Sequence, residues 1–306
     1  RQMCIRDRSR TNQLGGTMKK NAGDSILHPD TQLGYVHLTV SNLERALEFY
    51  QRSLGFQIHR REGDTAFLGA GRDDLLVLTE QPGAVRVPRT TGLYHFAVLV
   101  PSRLELARVL RNLVDTETAL DGGADHMVSE ALYLSDPDGN GIEIYRDRPR
   151  SDWEYANGTL KMGTDPLDYE GILSELQNDS GSWAGLPAAT ILGHMHLHIA
   201  NIPEAEQFYT EVVGFDVMVR YHTSASFLSA GGYHHHLGVN TWNGVGAPPP
   251  PPDALGLRYF VIRLPNDEEK EKLITRLEQA AISFEHRAEG LFVRDPSQNG
   301  LLFVVR

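Results

Sequence analysis

The chain has 306 residues, 41% hydrophobic and 23% charged, with a formal net charge of -11. That length accommodates two domains with sizeable cores, and the composition is that of a soluble globular protein. The acidic balance argues against nucleic acid or an anionic membrane as a partner, since both need clustered Lys and Arg, and no apolar run of about 18 residues offers a membrane span.

Residues 1–17, RQMCIRDRSRTNQLGGT, differ in character from the rest of the chain and read as a non-native leader, with Met18-Lys19-Lys20 as a natural start. Removing its four Arg and one Asp takes the charge from -11 to -14 and removes Cys4, the only cysteine. A chain without a disulfide partner fits a reducing compartment. The leader has no apolar stretch or cleavage pattern, so it is not read as a signal peptide, and the cytoplasm is the expected location. Residues 1–32 are grouped as leader and tail.

Residues 34–56, GYVHLTVSNLERALEFYQRSLGF, predict a strand and then a helix. Ser41 with Glu44 reads as a capping box. Leu43, Ala46, Leu47, Tyr50 and Leu54 fall on one helical face, and Gly55 reads as the C-cap. The strand-like stretches AFLGA and LLVLTE come next. The same grammar returns at 193–215, GHMHLHIANIPEAEQFYTEVVGF, at a constant offset of 159 residues: Gly193 matches Gly34, His196 matches His37, and the FY and GF pairs recur. That is an internal duplication.

Two weaker copies begin at 92–113, GLYHFAVLVPSRLELARVLRNL, and at 256–277, GLRYFVIRLPNDEEKEKLITRL. Their endings also match, SDPDGNGIEIY at 135–145 against RDPSQNGLLFVV at 294–305. The chain therefore holds four strand–helix–three-strand units in two similar halves, 33–146 and 191–306. Residues 147–190 between them read as an ordered linker with one short helical candidate at 166–177. Pro248–Pro252 predict a stiff polyproline spacer.

One stretch carries the chemistry. Ala131–Tyr145, ALYLSDPDGNGIEIY, predicts strand, tight turn and strand, with Asp136, Pro137 and Gly139 as turn residues. It puts Glu143 inside a hydrophobic strand, where a carboxylate is costly unless it is paired or bound to a metal.

Repeated units ending in DPDGNGIEIY, with a His in the first strand, resemble the vicinal-oxygen-chelate superfamily. Within it, the PSRLELARVLRNL, VSEALYLSDPDGNGIEIY and GGYHHHLGVN runs look like bacterial catechol 2,3-dioxygenases. The resemblance implies an α+β fold of four βαβββ modules paired into two cupped sheets. It also implies non-haem Fe(II), with Mn(II) as the alternative, held by two His and one carboxylate with positions left open. A small aromatic diol and O₂ would be the partners, and relatives often self-associate. Carried over residue by residue, Glu143 is the carboxylate and His95 one imidazole. The other is His196, with His37 as the alternative. The fourth unit is excluded, having Tyr259 and Leu302 at the corresponding positions.

The resemblance also implies a proton-shuttling His on the last strand of the paired unit. His235, second of an HH pair, fits, and this favours pairing units two and three and therefore His196. Tyr133, ten residues before Glu143, matches the acid Tyr, and His126 is placed to bond a substrate hydroxyl. His194 and His198 are expected to pack or to support the ligands. His234 and His236 are expected to point away from His235 as buried, hydrogen-bonded groups. The implied reaction is extradiol ring cleavage. The alternatives are a metal-dependent glyoxalase-type lyase or isomerase, a small-molecule-binding resistance protein, and cleavage of hydroquinones.

Overall fold

The computed structural model describes residues 27–179 and 181–306, so the leader reading and Cys4 lie outside the described residues. Module one comprises β1 (Gln32–Val40), α1 (Leu43–Arg52), β2 (Gln57–Glu62), β3 (Thr65–Gly69) and β4 (Asp74–Glu80). Module two comprises β5 (Gly92–Leu99), α2 (Arg103–Asp115), β6 (Gly122–Asp125), β7 (Ser129–Ser135) and β8 (Gly141–Asp147). The connecting segment carries β9 (Tyr155–Ala156), β10 (Thr159–Leu160), β11 (Asp165–Pro166) and α3 (Tyr169–Ser174). Module three comprises β12 (Ile191–His198), α4 (Ile202–Gln207), β13 (Asp216–Tyr221), β14 (Ala225–Ser229) and β15 (Leu237–Asn240). Module four comprises β16 (Gly256–Leu264), α5 (Asp267–Gln279), β17 (Phe284–His286), β18 (Leu291–Arg294) and β19 (Gly300–Val305). Among the described residues, no helix is long and apolar enough to cross a membrane.

The modules pair in a nested order. An eight-stranded sheet, β17-β18-β19-β16-β1-β4-β3-β2, joins modules one and four, and a nine-stranded sheet, β11-β6-β7-β8-β5-β12-β15-β14-β13, joins modules two and three. This is the pairing expected from the position of His235, and neither sheet belongs to one half of the sequence. The connecting segment is more than a linker, because β11 adds the outermost strand beside β6.

Each helix starts where a side chain caps it. Asn42, Ser102, Asn201 and Asn266 each accept a bond from a first-turn backbone N–H. In module one the cap is thus Asn42 rather than Ser41, whose hydroxyl and N–H are engaged by Asp138.

Alternation along the central strands divides core from cup. Phe96 and Val98 on β5, Ile142 and Ile144 on β8, and Met195 and Leu197 on β12 enter one hydrophobic core that also takes Val36 and Leu38 of β1. His95, Glu143, His194 and His196 therefore face the other way.

The DPDGN turn and its counterpart clip the modules together. Tyr50 on α1 donates to Asp136 at 2.9 Å, and Tyr209, 159 residues later, donates to Asp295 at 2.9 Å. Asn140 and Asn299 bond the same carboxylates, so Asp136 is a buried turn residue, as read from the sequence. Removing the tyrosine hydroxyl takes one of two side-chain donors from a buried carboxylate oxygen and leaves only the asparagine. Tyr50→Phe and Tyr209→Phe should each lose about 1–3 kcal/mol in chemical denaturation without changing metal content.

Candidate metal centre

Across the nine-stranded sheet the backbone register sets two adjacent rows. One runs Tyr133 (β7), Glu143 (β8), Ala97 (β5), His194 (β12), and the next contains Gly141 (β8), His95 (β5), His196 (β12), Gly238 (β15). Ala97 separates Glu143 from His194 by only a methyl group, so the carboxylate and the imidazole meet across it. Glu143 Oε2 lies 3.1 Å from His194 Nε2 and 3.1 Å from His95 Nε2, and the two nitrogens are 3.3 Å apart. Among the described residues, this trio has ligand atoms all within 4.8 Å of one another.

The second imidazole beside Glu143 is therefore His194, not the expected His196 and not His37. His196 stands one row away, opposite His95, and His37 is in the other sheet, its Nε2 2.8 Å from Thr79 Oγ1. The repeat draws attention to His196 because its partner 159 residues earlier is also His. Distance from the helix cap carries the register better. His95, His194, Tyr35 and Tyr259 each precede their caps, Ser102, Asn201, Asn42 and Asn266, by seven residues. In the eight-stranded sheet Tyr35 and Tyr259 thus hold the two imidazole positions, their hydroxyls 3.4 Å apart, and Leu302 holds the carboxylate position.

The donor set fits a divalent metal. In a facial octahedral arrangement with bonds of about 2.1 Å, neighbouring donors are about 3 Å apart, the spacing of this trio. Charge points the same way. Two carboxylates in this sheet, Glu130 and Glu143, are each only 2% exposed. Glu130 is ringed by Arg103, Arg146 and Arg148, whereas Glu143 meets imidazoles. Burial alone would raise the Glu143 carboxyl, but the His194 and His95 rings hold it well below the usual range. Burial pushes His194 down to about 4, against the pull of Glu143. An ionised carboxylate with a neutral imidazole is the metal-binding protonation state.

A β-bulge places His194. Gly193 is the extra residue between the paired Leu192 and His194, and a Cβ there would collide with the Tyr145 hydroxyl. The bulge shifts strand parity, so Leu192 and Met195 both reach the core while His194 enters the cup.

His235 and Tyr133 flank the trio. The His235 ring is 4.1 Å from that of His194 and 5.0 Å from Phe227. His234 does not point away from it as a regular strand would require, because residues 231–236 form turns rather than a strand. His234 Nε2 donates to Asp147 Oδ1 at 2.9 Å, and in that tautomer its Nδ1 accepts from His235 Nδ1 at 2.8 Å. His235 Nε2 is left with a lone pair. Asp147 is held in turn by the Tyr233 hydroxyl. His236 and His198 pack as expected, bonded to Ser229 and Asn240.

Tyr133 lies directly opposite Glu143, and its ring is 5.7 Å from His95. Burial, reinforced by the Glu143 charge, holds its phenol well above the ordinary value. His126 is half-buried. Its Nδ1 donates to the Gly163 carbonyl at 2.7 Å, which fixes the tautomer so that Nε2 accepts the Tyr133 hydroxyl at 2.6 Å. Gly163 and Trp153, which packs against Tyr233 beside the His234 ring, belong to the connecting segment. Their contribution is hidden in the sequence because nothing in that polar stretch signals contact with the site.

The family model of the Glyoxalase/Bleomycin resistance protein/Dioxygenase superfamily matches the chain twice, at residues 32–144 and 191–303, and the chain belongs to this superfamily. It is 47% identical over 275 residues to a catechol-2,3-dioxygenase of Bacillus subtilis (strain 168), covering 88% of this chain and 95% of that protein. Among solved structures, a putative dioxygenase from Bacillus subtilis superposes with a TM-score of 0.61 at 12% identity, covering 92% of this chain and 86% of that one. Glyoxalase I from Zea mays gives 0.56 at 14% identity, covering 90% and 92%. At these identities the two structures bear on the fold alone.

Loss of one ligand from a three-residue site should abolish tight metal retention. His194→Ala is expected to retain little metal by elemental analysis, and His37→Ala to retain the wild-type amount.

Proposed function

We propose that this chain is an extradiol dioxygenase, cleaving catechol or a substituted catechol with O₂ at a non-haem Fe(II) centre held by His95, His194 and Glu143. The observation that carries the reading is the facial trio of two imidazoles and one buried carboxylate with acid–base groups on both flanks. The 47% identity to a catechol-2,3-dioxygenase supports it. Bound there, Fe(II) supplies neighbouring open positions for a chelating diol and O₂ and a path for electrons between them.

The protein's own residues bind, orient and move protons. His235, with its Nε2 lone pair directed by His234 and Asp147, takes a proton from the diol and returns it to oxygen as the ring opens. Tyr133, kept protonated, would turn its single O–H from His126 to a substrate oxygen when the diol binds. His126 Nε2 accepts that proton in the free site and so holds the hydroxyl in place until then. Phe227 beside His235 offers an apolar face to the ring. Both atoms of O₂ end in the product, so catechol would give 2-hydroxymuconate semialdehyde with no other reactant.

The test is anaerobic loading with Fe(II), addition of catechol, then air. Oxygen uptake matched by a yellow product absorbing at the near-ultraviolet to visible edge is expected. No uptake with any catechol, together with turnover of a hemithioacetal, would overturn the reading in favour of a lyase. His235→Ala should retain iron by elemental analysis while kcat falls by roughly 10²–10⁴.

A further inference from the structure

Beside the trio the cup holds a polar atom that no protein group satisfies. His196 is 3% exposed, and its Nε2 is buried without a hydrogen-bond partner among the described residues. Buried polar atoms left unpaired are costly and uncommon, and their persistence asks for a partner from outside the chain.

The backbone makes room for this ring and walls it. Gly238 pairs with His196 across β12 and β15, and a Cβ at 238 would come within 2.9 Å of His196 Cγ. Tyr94 is the extra residue between the paired Leu93 and His95, and this bulge turns its ring onto the cup side, 5.0 Å from His196. Trp242 at 5.4 Å and Phe227 at 5.6 Å complete the wall, and the His196 ring stands edge-on to His95 at 5.0 Å. Trp242 is 47% exposed, which marks the side open to solvent.

We propose that His196, Tyr94, Trp242 and Phe227 form a substituent pocket beside the diol site. The substrate it selects is a vicinal aromatic diol carrying an uncharged hydrogen-bonding group, a hydroxyl, ether or carbonyl. This rests on the ring-cleavage reading above. His196 lies opposite His95 with its ring 5.0 Å away, so a diol held at the trio on that side would bring its adjacent substituent within reach of His196. An alkyl substituent would leave Nε2 unpaired. A carboxylate would be buried against rings none of which is a cationic partner for it.

The experiment measures anaerobic binding to the Fe(II)-loaded full chain by calorimetry, so it does not depend on turnover. The near-isosteric pairs are 3- and 4-hydroxymethylcatechol against 3- and 4-ethylcatechol, with catechol and 3,4-dihydroxybenzoate as references. The hydroxymethyl compound should bind about tenfold or more tightly than its ethyl partner at one ring position. In His196→Leu that ratio should fall to near one with iron content kept, and His196→Gln should restore part of it. Equal affinities in the wild type, an unchanged ratio in His196→Leu, tighter binding of dihydroxybenzoate, or loss of iron from His196→Leu would each overturn the proposal. Discrimination absent while catechol binds refutes this inference alone. Failure of catechol itself to bind refutes the ring-cleavage reading as well.

Discussion

A carboxylate buried between strands with no cationic side chain against it is the constraint on which the structure turns. Glu143 sits in the middle of a sheet, as inaccessible as Glu130, yet only Glu130 has a ring of guanidinium groups. A buried negative charge with no cationic side chain beside it is stable when a cation joins it. The small residues around it serve that arrangement. Ala97 lets the carboxylate meet His194, Gly193 supplies the bulge that turns His194 inward, and Gly238 clears space for His196.

Duplication explains why one sheet carries this chemistry and the other does not. The eight-stranded sheet repeats the geometry with Tyr35, Tyr259 and Leu302, so those three positions offer neither the carboxylate nor the imidazoles of the trio. What it keeps is mechanical. The Tyr209–Asp295 clip reproduces the Tyr50–Asp136 clip, tying module three to module four as module one is tied to module two. Scaffold and site have thus been separated between two copies of one fold.

Much of this is legible in the sequence, and each miss has a physical cause. The 159-residue repeat and the DPDGN turn announce the modules, and an acid in an apolar strand announces Glu143. The HH pair correctly indicates that modules two and three share a sheet. His194 is passed over when histidines are matched to histidines, whereas register is set from the helix caps. His234 is misplaced when strand parity is applied to a segment that turns instead, which lets adjacent rings touch. The roles of Gly163 and Trp153 depend on contacts across the chain that local composition does not encode.

The nesting of the modules also has a consequence for synthesis. The inner sheet takes no strand beyond β15, which ends at Asn240, so every strand that carries the donor trio has been made before module four leaves the ribosome. Module one, made first, waits longest: the open side of β1 is covered by β16, more than 200 positions downstream. Until then that edge is bare, with a hydrophobic strand face beside it, a surface prone to mispairing with other nascent chains. A protein built this way has all strands of its inner sheet synthesised early and leaves its oldest segment to be covered last.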